Sequence, residues 1–260
     1  MPKKTIIYAV VFAILACCLL GCATKQNVDK TLLEFPDVKW NATPGEVIEA
    51  LNLTEKQITG ERTEEAGVDS LVAPDRYFMG IQDISVFGKE IAGAQLTFLS
   101  YGENDFGLAG IELYYPKDTD MQTVIDEMVA CYGDGNSESS VSYMIEDGEL
   151  VEHSSSKTMR INGELWAPEK DPDYVRSFWR STKKGSEILS TDGQSKMADY
   201  YAESMTRETA LEFLDLQPMV QVSAVNRNHL AAGTPTEEER NNFVQFNATW
   251  LVLMTQCFDK

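Results

Sequence analysis

Histidine is nearly missing from this 260-residue chain, which holds only His153 and His229. Metal coordination and proton transfer near neutral pH draw heavily on histidine, so both chemistries have little to work with. Each histidine sits in a polar stretch, Glu152-His153-Ser154 and Asn228-His229, and is read as solvent-exposed. Positive charge is scarce too: 22 Lys+Arg stand against 41 Asp+Glu, for a net charge of −19 and a pI near 4.4. A body of that sign is repelled by phosphate backbones, which excludes sequence-independent nucleic-acid binding. Five cysteines, 17 glycines and 9 prolines are too few for a disulfide scaffold, a collagenous chain or a low-complexity one. The 43% of hydrophobic residues suffices for one sizeable core or two small ones.

Signature motifs are also lacking. There is no G-x-S-x-G elbow, no G-x-G-x-x-G, no P-loop and no H-E-x-x-H. S-x-x-K occurs at Ser181–Lys184 and at Ser154–Lys157, but without the S-D-N and K-T-G partners that give it meaning. Asp134-Gly135-Asn136-Ser137-Glu138 spaces its oxygens like a calcium loop, yet Ser139 stands where the sharp turn needs glycine and Ile145 where the last carboxylate belongs. No catalytic residue, metal ligand or cofactor is assigned.

The first 22 residues carry the strongest signal. Met1-Pro2-Lys3-Lys4 is a short basic leader, followed by an apolar run of 15 residues from Ile6 to Leu20. A membrane-spanning helix needs about 20 such residues, so the run is read as the apolar region of a secretory signal. It closes on Leu19-Leu20-Gly21-Cys22, which resembles the lipobox of bacterial lipoproteins: an aliphatic residue three before the cysteine, a small one just before it. The resemblance covers this segment alone. It implies that the Cys22 thiolate takes a thioether-linked diacylglycerol, that cleavage follows Gly21, and that the acyl chains anchor the body on the outer face of a bacterial cell membrane, or of an outer membrane if the host has one. Residues 1–21 are then the signal and 22–36 a lipidated polar tether. Loss of residues 1–21 removes Lys3 and Lys4 and no acid, leaving 239 residues with 20 cations against 41 acids. Anionic lipid would repel such a body, and the acyl chains would hold it in place.

Folded character begins near Asp37. Thr43-Pro44-Gly45-Glu46 is a helix start, with a Thr cap, Pro at the first position and Glu closing a capping box. Residues 61–69, ERTEEAGVD, show no apolar period and are read as an acidic loop. Runs at 81–87, 94–101 and 108–115, broken by Gly88, Gly93, Gly102 and Gly107, predict an antiparallel meander. Met121, Val124, Ile125, Met128, Val129 and Tyr132 then mark an amphipathic helix that Gly133 stops. Hairpins are predicted over 141–153 and about Asn162-Gly163. A helix followed by strands thus occurs twice, from Thr43 and from Asp120.

In the last third, helices are predicted over 174–189, 196–204 and 206–216, and a hairpin from a strand at 220–225 and a long closing strand at 243–258. The pattern predicts an α+β fold: antiparallel meanders each preceded by a helix, then a helical segment and a C-terminal β-hairpin. Residues 37–168 form the helix-plus-meander unit, duplicated in outline, and 169–260 pack on it. The entry Trp40-Asn41-Ala42-Thr43-Pro44 and the short helix before strands loosely resemble the small α+β folds of beta-lactamase-inhibitor-like and outer-membrane-assembly lipoproteins. That resemblance implies a protein-binding role and transfers no site residue.

Cys131 and Cys257 are the cysteines left in the body. Outside the cytoplasm they either pair as a disulfide or remain two buried thiols. Of four tryptophans, Trp40 and Trp250 sit in apolar periodic contexts and are assigned to the core, whereas Trp166 and Trp179 flank the polar loop 168–172 and are the candidates for a binding surface. The leading reading is a non-enzymatic lipoprotein binding a protein or envelope component. The alternatives are the solute-binding lipoprotein of a transporter, which needs two lobes, and a glycan hydrolase, which needs paired carboxylates.

Overall fold

A computed structural model of the chain describes residues 28–66, 74–102, 105–137, 139–146, 149–156, 159–161, 164–166, 176–226 and 242–259. The expected signal, the lipobox-like segment and Cys22 lie outside them. The fold is α+β.

Helix α1, Pro44–Ala50, starts where the capping box places it: the Thr43 hydroxyl accepts from Glu46 N at 3.3 Å and the Glu46 carboxylate accepts from Thr43 N at 2.8 Å. The bond from Thr43 N foremost, and then one donated by the Thr43 hydroxyl at 2.9 Å, hold the Glu46 carboxyl below the ordinary carboxylate range. Strands β1 (Ile58–Glu64), β2 (Asp75–Ile81), β5 (Gly93–Ser100) and β6 (Gly107–Tyr115) follow as a meander, with the small hairpin β3 (Ser85–Val86) and β4 (Lys89–Glu90) between β2 and β5. Helix α2, Met121–Tyr132, has the expected apolar stripe, an Asp120 cap that accepts from Gln122 N, and Gly133 at its end with φ 87°.

The strands after α2 depart from a second meander. β7 (Ser139–Glu146) pairs with β8 (Glu149–Ser156), and β9 (Met159–Ile161) with β10 (Glu164–Trp166), as two hairpins outside the main sheet. The chain returns as β11 (Arg176–Arg180), then α3 (Gly185–Ile188), α4 (Thr191–Tyr200) and α5 (Arg207–Leu216), then β12 (Gln221–Val225), β13 (Asn242–Asn247) and α6 (Thr249–Phe258). One seven-stranded antiparallel sheet results, ordered β1-β2-β5-β6-β13-β12-β11. Each half runs in chain order from its own edge, and the last strands, β6 and β13, pair at the centre. The sheet therefore crosses the expected boundary at 168, and both segments share one core.

Four expectations are corrected here. Residues 61–64 belong to edge strand β1, exposed on both faces and so without apolar alternation. Residues 176–180 are a strand, not the start of a helix, because they pair with β12 in register from Arg176↔Val225 to Arg180↔Gln221. The closing strand ends at Asn247, and helix α6 follows: the Asn247 side chain accepts from Thr249 N at 3.0 Å, and Leu251, Val252, Met254, Gln256 and Phe258 are buried. Residues 28–36, expected as part of a polar tether, instead bring Leu33 and Phe35 into the core.

The core lies on one face of the sheet. Trp179, Val222, Phe246, Ile111, Leu96 and Met79 succeed one another across six strands, all buried. Phe35 from the entry segment, Phe87 from the loop between β3 and β4, and Tyr132 of α2 all meet the ring of Phe246. Tyr132 also donates to Glu34 O at 2.8 Å, tying α2 to the entry segment.

Candidate functional site

Side chains alternate across a strand, so the residues between those core positions face the other way. That second face is polar across its centre. Ser223, Gln245, Glu112 and Gln95 form one cross-strand row, and Gln221, Asn247, Gly110 and Thr97 the next. The row is bonded within itself: Gln245 Nε2 donates to Glu112 Oε1 at 3.0 Å, and the Tyr114 hydroxyl donates to Glu112 Oε2 at 2.6 Å.

The β7–β8 hairpin overhangs this face. It leaves the sheet at edge strand β11, where Asn136 stands in for a neighbouring strand: Arg180 N donates to Asn136 Oδ1 at 2.7 Å, and Asn136 Nδ2 donates to Arg180 O at 2.9 Å. A single bridge joins Ser137 to Phe178. Beyond it, two glutamines hold the β7 backbone, with Val141 N donating to Gln221 Oε1 and Tyr143 N to Gln217 Oε1, each at 2.8 Å. The hairpin is braced internally by His153 Nε2 and Glu146 Oε1 at 2.9 Å and by the Tyr143 hydroxyl, which donates to Glu152 Oε2 at 2.9 Å. Burial and then the Glu152 bond raise the Tyr143 phenol above its ordinary range.

Between hairpin and sheet lies a groove of about 430 Å³. Its roof is Ser139, Ser140, Ser142 and His153, and its floor includes Gln221, Ser223, Gln245 and Asn247. Hydroxyls and amides dominate, and no aspartate or glutamate lines the groove among the described residues. Such a lining offers both donors and acceptors to a bound group. His153 is half-exposed, and its bond is to Glu146 on the same hairpin.

No family model, curated protein or solved structure matches this chain. The groove must be read from its own chemistry.

Of the residues singled out by sequence, Trp179 is corrected. It is 1% exposed, points into the core beside Val222, and donates from Nε1 to Gly133 O at 2.9 Å. Both Trp179 and its neighbour Phe178 border the groove. Trp166 ends β10, paired with Met159. Trp40 is buried as expected, and Trp250 is half-buried against Phe213 at 5.2 Å. Cys131 and Cys257 are not joined: the first lies on α2 near Glu127 and Lys30, the second on α6 near Tyr101 and Tyr201. Burial, above all, pushes the Cys131 thiol up.

Sequence reasoning missed Gln217, Gln221, Ser223 and the serines of β7. For Gln221 and Ser223 the signal was polar alternation in β12, visible as the wet side of a strand but silent about the hairpin above it. Replacing both Gln217 and Gln221 with alanine is expected to release the hairpin. Each stranded amide costs about 1–3 kcal/mol while it stays buried, so the hairpin will lift instead. Hydrogen exchange at Val141 and Tyr143 should accelerate strongly while exchange in β5 and β6 is unchanged.

Proposed function

We propose that this chain is a lipid-anchored, extracytoplasmic binding protein that holds a protein or other envelope component on its polar sheet face and catalyses no reaction. One observation carries the binding role: Gln221 of that face and Gln217, at the end of α5, already grip an extended backbone, that of β7, through side-chain acceptors. Ser223, Gln245 and Asn247 offer the same chemistry to a second extended segment laid in the groove beside β7. Extended polypeptide is the occupant such a lining suits best, since it presents unpaired donors and acceptors at regular spacing. A single sheet over a single core favours this reading over the two-lobed solute-binding one, and a groove lining without carboxylates favours it over the hydrolase.

The anchoring rests on the lipobox-like Leu19-Leu20-Gly21-Cys22. Replacing Cys22 with serine removes the only thiol that could take the lipid there and is expected to shift the protein from the membrane to the soluble fraction on cell fractionation. A Cys22→Ser chain that still sediments with membranes refutes the anchor.

A further inference from the structure

The row that floors the groove continues past its lining. From Ser223 and Gln245 it runs, one strand further on, to Glu112 of β6 and then to Gln95 of β5. Neighbouring strands lie about 4.8 Å apart, so Glu112 stands roughly 10 Å from Ser223, the advance of about three residues of extended chain. A segment that leaves the groove along this row meets that carboxylate.

Glu112 is half-buried, and both its oxygens accept from neutral groups: Oε1 from Gln245 Nε2 at 3.0 Å and Oε2 from the Tyr114 hydroxyl at 2.6 Å. Two bonds of that kind fix the carboxylate without cancelling its charge, and each oxygen keeps a further acceptor site. Among the described residues no lysine, arginine or histidine forms an ion pair with it. The cations at the hairpin are bonded elsewhere, Arg180 Nη2 to Ser139 O at 3.3 Å and His153 to Glu146 at 2.9 Å. The hairpin's own acids are engaged too, Glu146 by His153 and Glu152 by the Tyr143 hydroxyl.

The approach to Glu112 is low. Its cross-strand neighbours Gln95 and Gln245 are uncharged, and Gly110, two residues earlier on the same face, has no side chain. A Cβ at Gly110 would meet Thr97 and the Phe246 carbonyl no closer than 3.5 Å, so that strip of the sheet is bare backbone without being crowded. Given the groove's reading as a site for extended polypeptide, on which this rests, we infer that Glu112 is its charge-reading residue. The bound segment carries an arginine about three residues beyond the part beneath the hairpin, and the guanidinium takes both oxygens of Glu112. Arginine suits the place better than lysine because its planar fork matches two oxygens of one fixed carboxylate, whereas an ammonium is a point charge. The chain's 41 acids against 22 cations add a field of the same sign that favours the approach of a cationic segment and weakens with salt.

The test uses the intact chain and an array of random octapeptides, each with one arginine, beside the same array with neutral citrulline in its place. The tightest arginine peptides are expected to bind the wild type about five- to tenfold better than their citrulline counterparts. Glu112→Gln keeps the side-chain length and should abolish that difference while leaving the citrulline peptides unaffected. Gln95→Lys, directly opposite Glu112 and outside the groove lining, supplies a cation from the chain itself and should shrink the preference in the same way. A denaturant midpoint no lower than the wild type's shows that both variants are folded. Ser223→Arg, in the groove itself, should remove binding of both peptide classes. If both classes depend on Ser223 but the arginine preference is absent, or survives Glu112→Gln, Glu112 does not read the charge and the groove still stands as the site. Peptides that bind regardless of Ser223→Arg, or a wild type that retains none from either array, overturn the groove and the role of Glu112 together.

Discussion

Trp179→Ala is expected to cost about 3–5 kcal/mol of folding stability, a large share of the roughly 5–15 kcal/mol that a domain typically has. The indole is 1% exposed and occupies the β11 position of the buried cross-strand row, opposite Val222. Its removal opens a cavity that rigid sheet neighbours cannot fill. It also strips Gly133 O, at the end of α2, of its donor. The denaturant midpoint should fall in proportion to that loss, with little change in slope. A tryptophan serving a binding surface would behave in the opposite way, losing affinity at unchanged stability. Trp179→Phe, which keeps most of the volume and loses the N–H, should fall between the two.

Phe246→Ala is expected to be as damaging, about 3–5 kcal/mol, with a different local consequence. Phe246 is fully buried and its ring meets Phe35, Trp40, Phe87 and Tyr132. Aromatic pairs of this kind contribute about 0.5–1.5 kcal/mol beyond their buried area, and those terms do not simply add. Two of the four partners belong to the entry segment, so its truncation should loosen residues 28–42 before the sheet opens. Limited proteolysis should cut within that segment in the variant under conditions where the wild type is intact. If cleavage instead begins in β12 or β13, the entry segment is not seated on Phe246.

What was legible in the sequence follows from where the physics is local. The α1 capping box needs only Thr43, Pro44 and Glu46, and α2 needs only its apolar stripe and Gly133, so the start of α1 and both limits of α2 were found. The wet and dry sides of β6 were visible in the alternation of Ile111 and Leu113 with Glu112. The errors arose where local pattern is ambiguous. Trp250, Val252 and Met254 alternate by two, yet they lie on a helix that is buried over much of its circumference, and without charged residues its true period is hidden. Residues 61–64 carry no pattern because edge strand β1 is exposed on both faces. The groove was invisible for a further reason: Gln221 and Val141 are 80 residues apart, and only the return of β11 and β12 to the sheet brings them together. The lipobox resemblance, by contrast, is contiguous, and so the anchor could be argued from four residues.

Capture from the envelope is the most direct test of a lipid-anchored binding protein. The intact chain, isolated from its own cells after mild cross-linking, is compared with Ser223→Arg, which places a long cation in the middle of the groove while leaving the core face untouched. Retention of one envelope component by the wild type and its loss from a Ser223→Arg chain that is still folded and still anchored is the predicted result. A wild type that retains nothing specific, or a component retained equally by both, contradicts the assignment of binding to the polar groove.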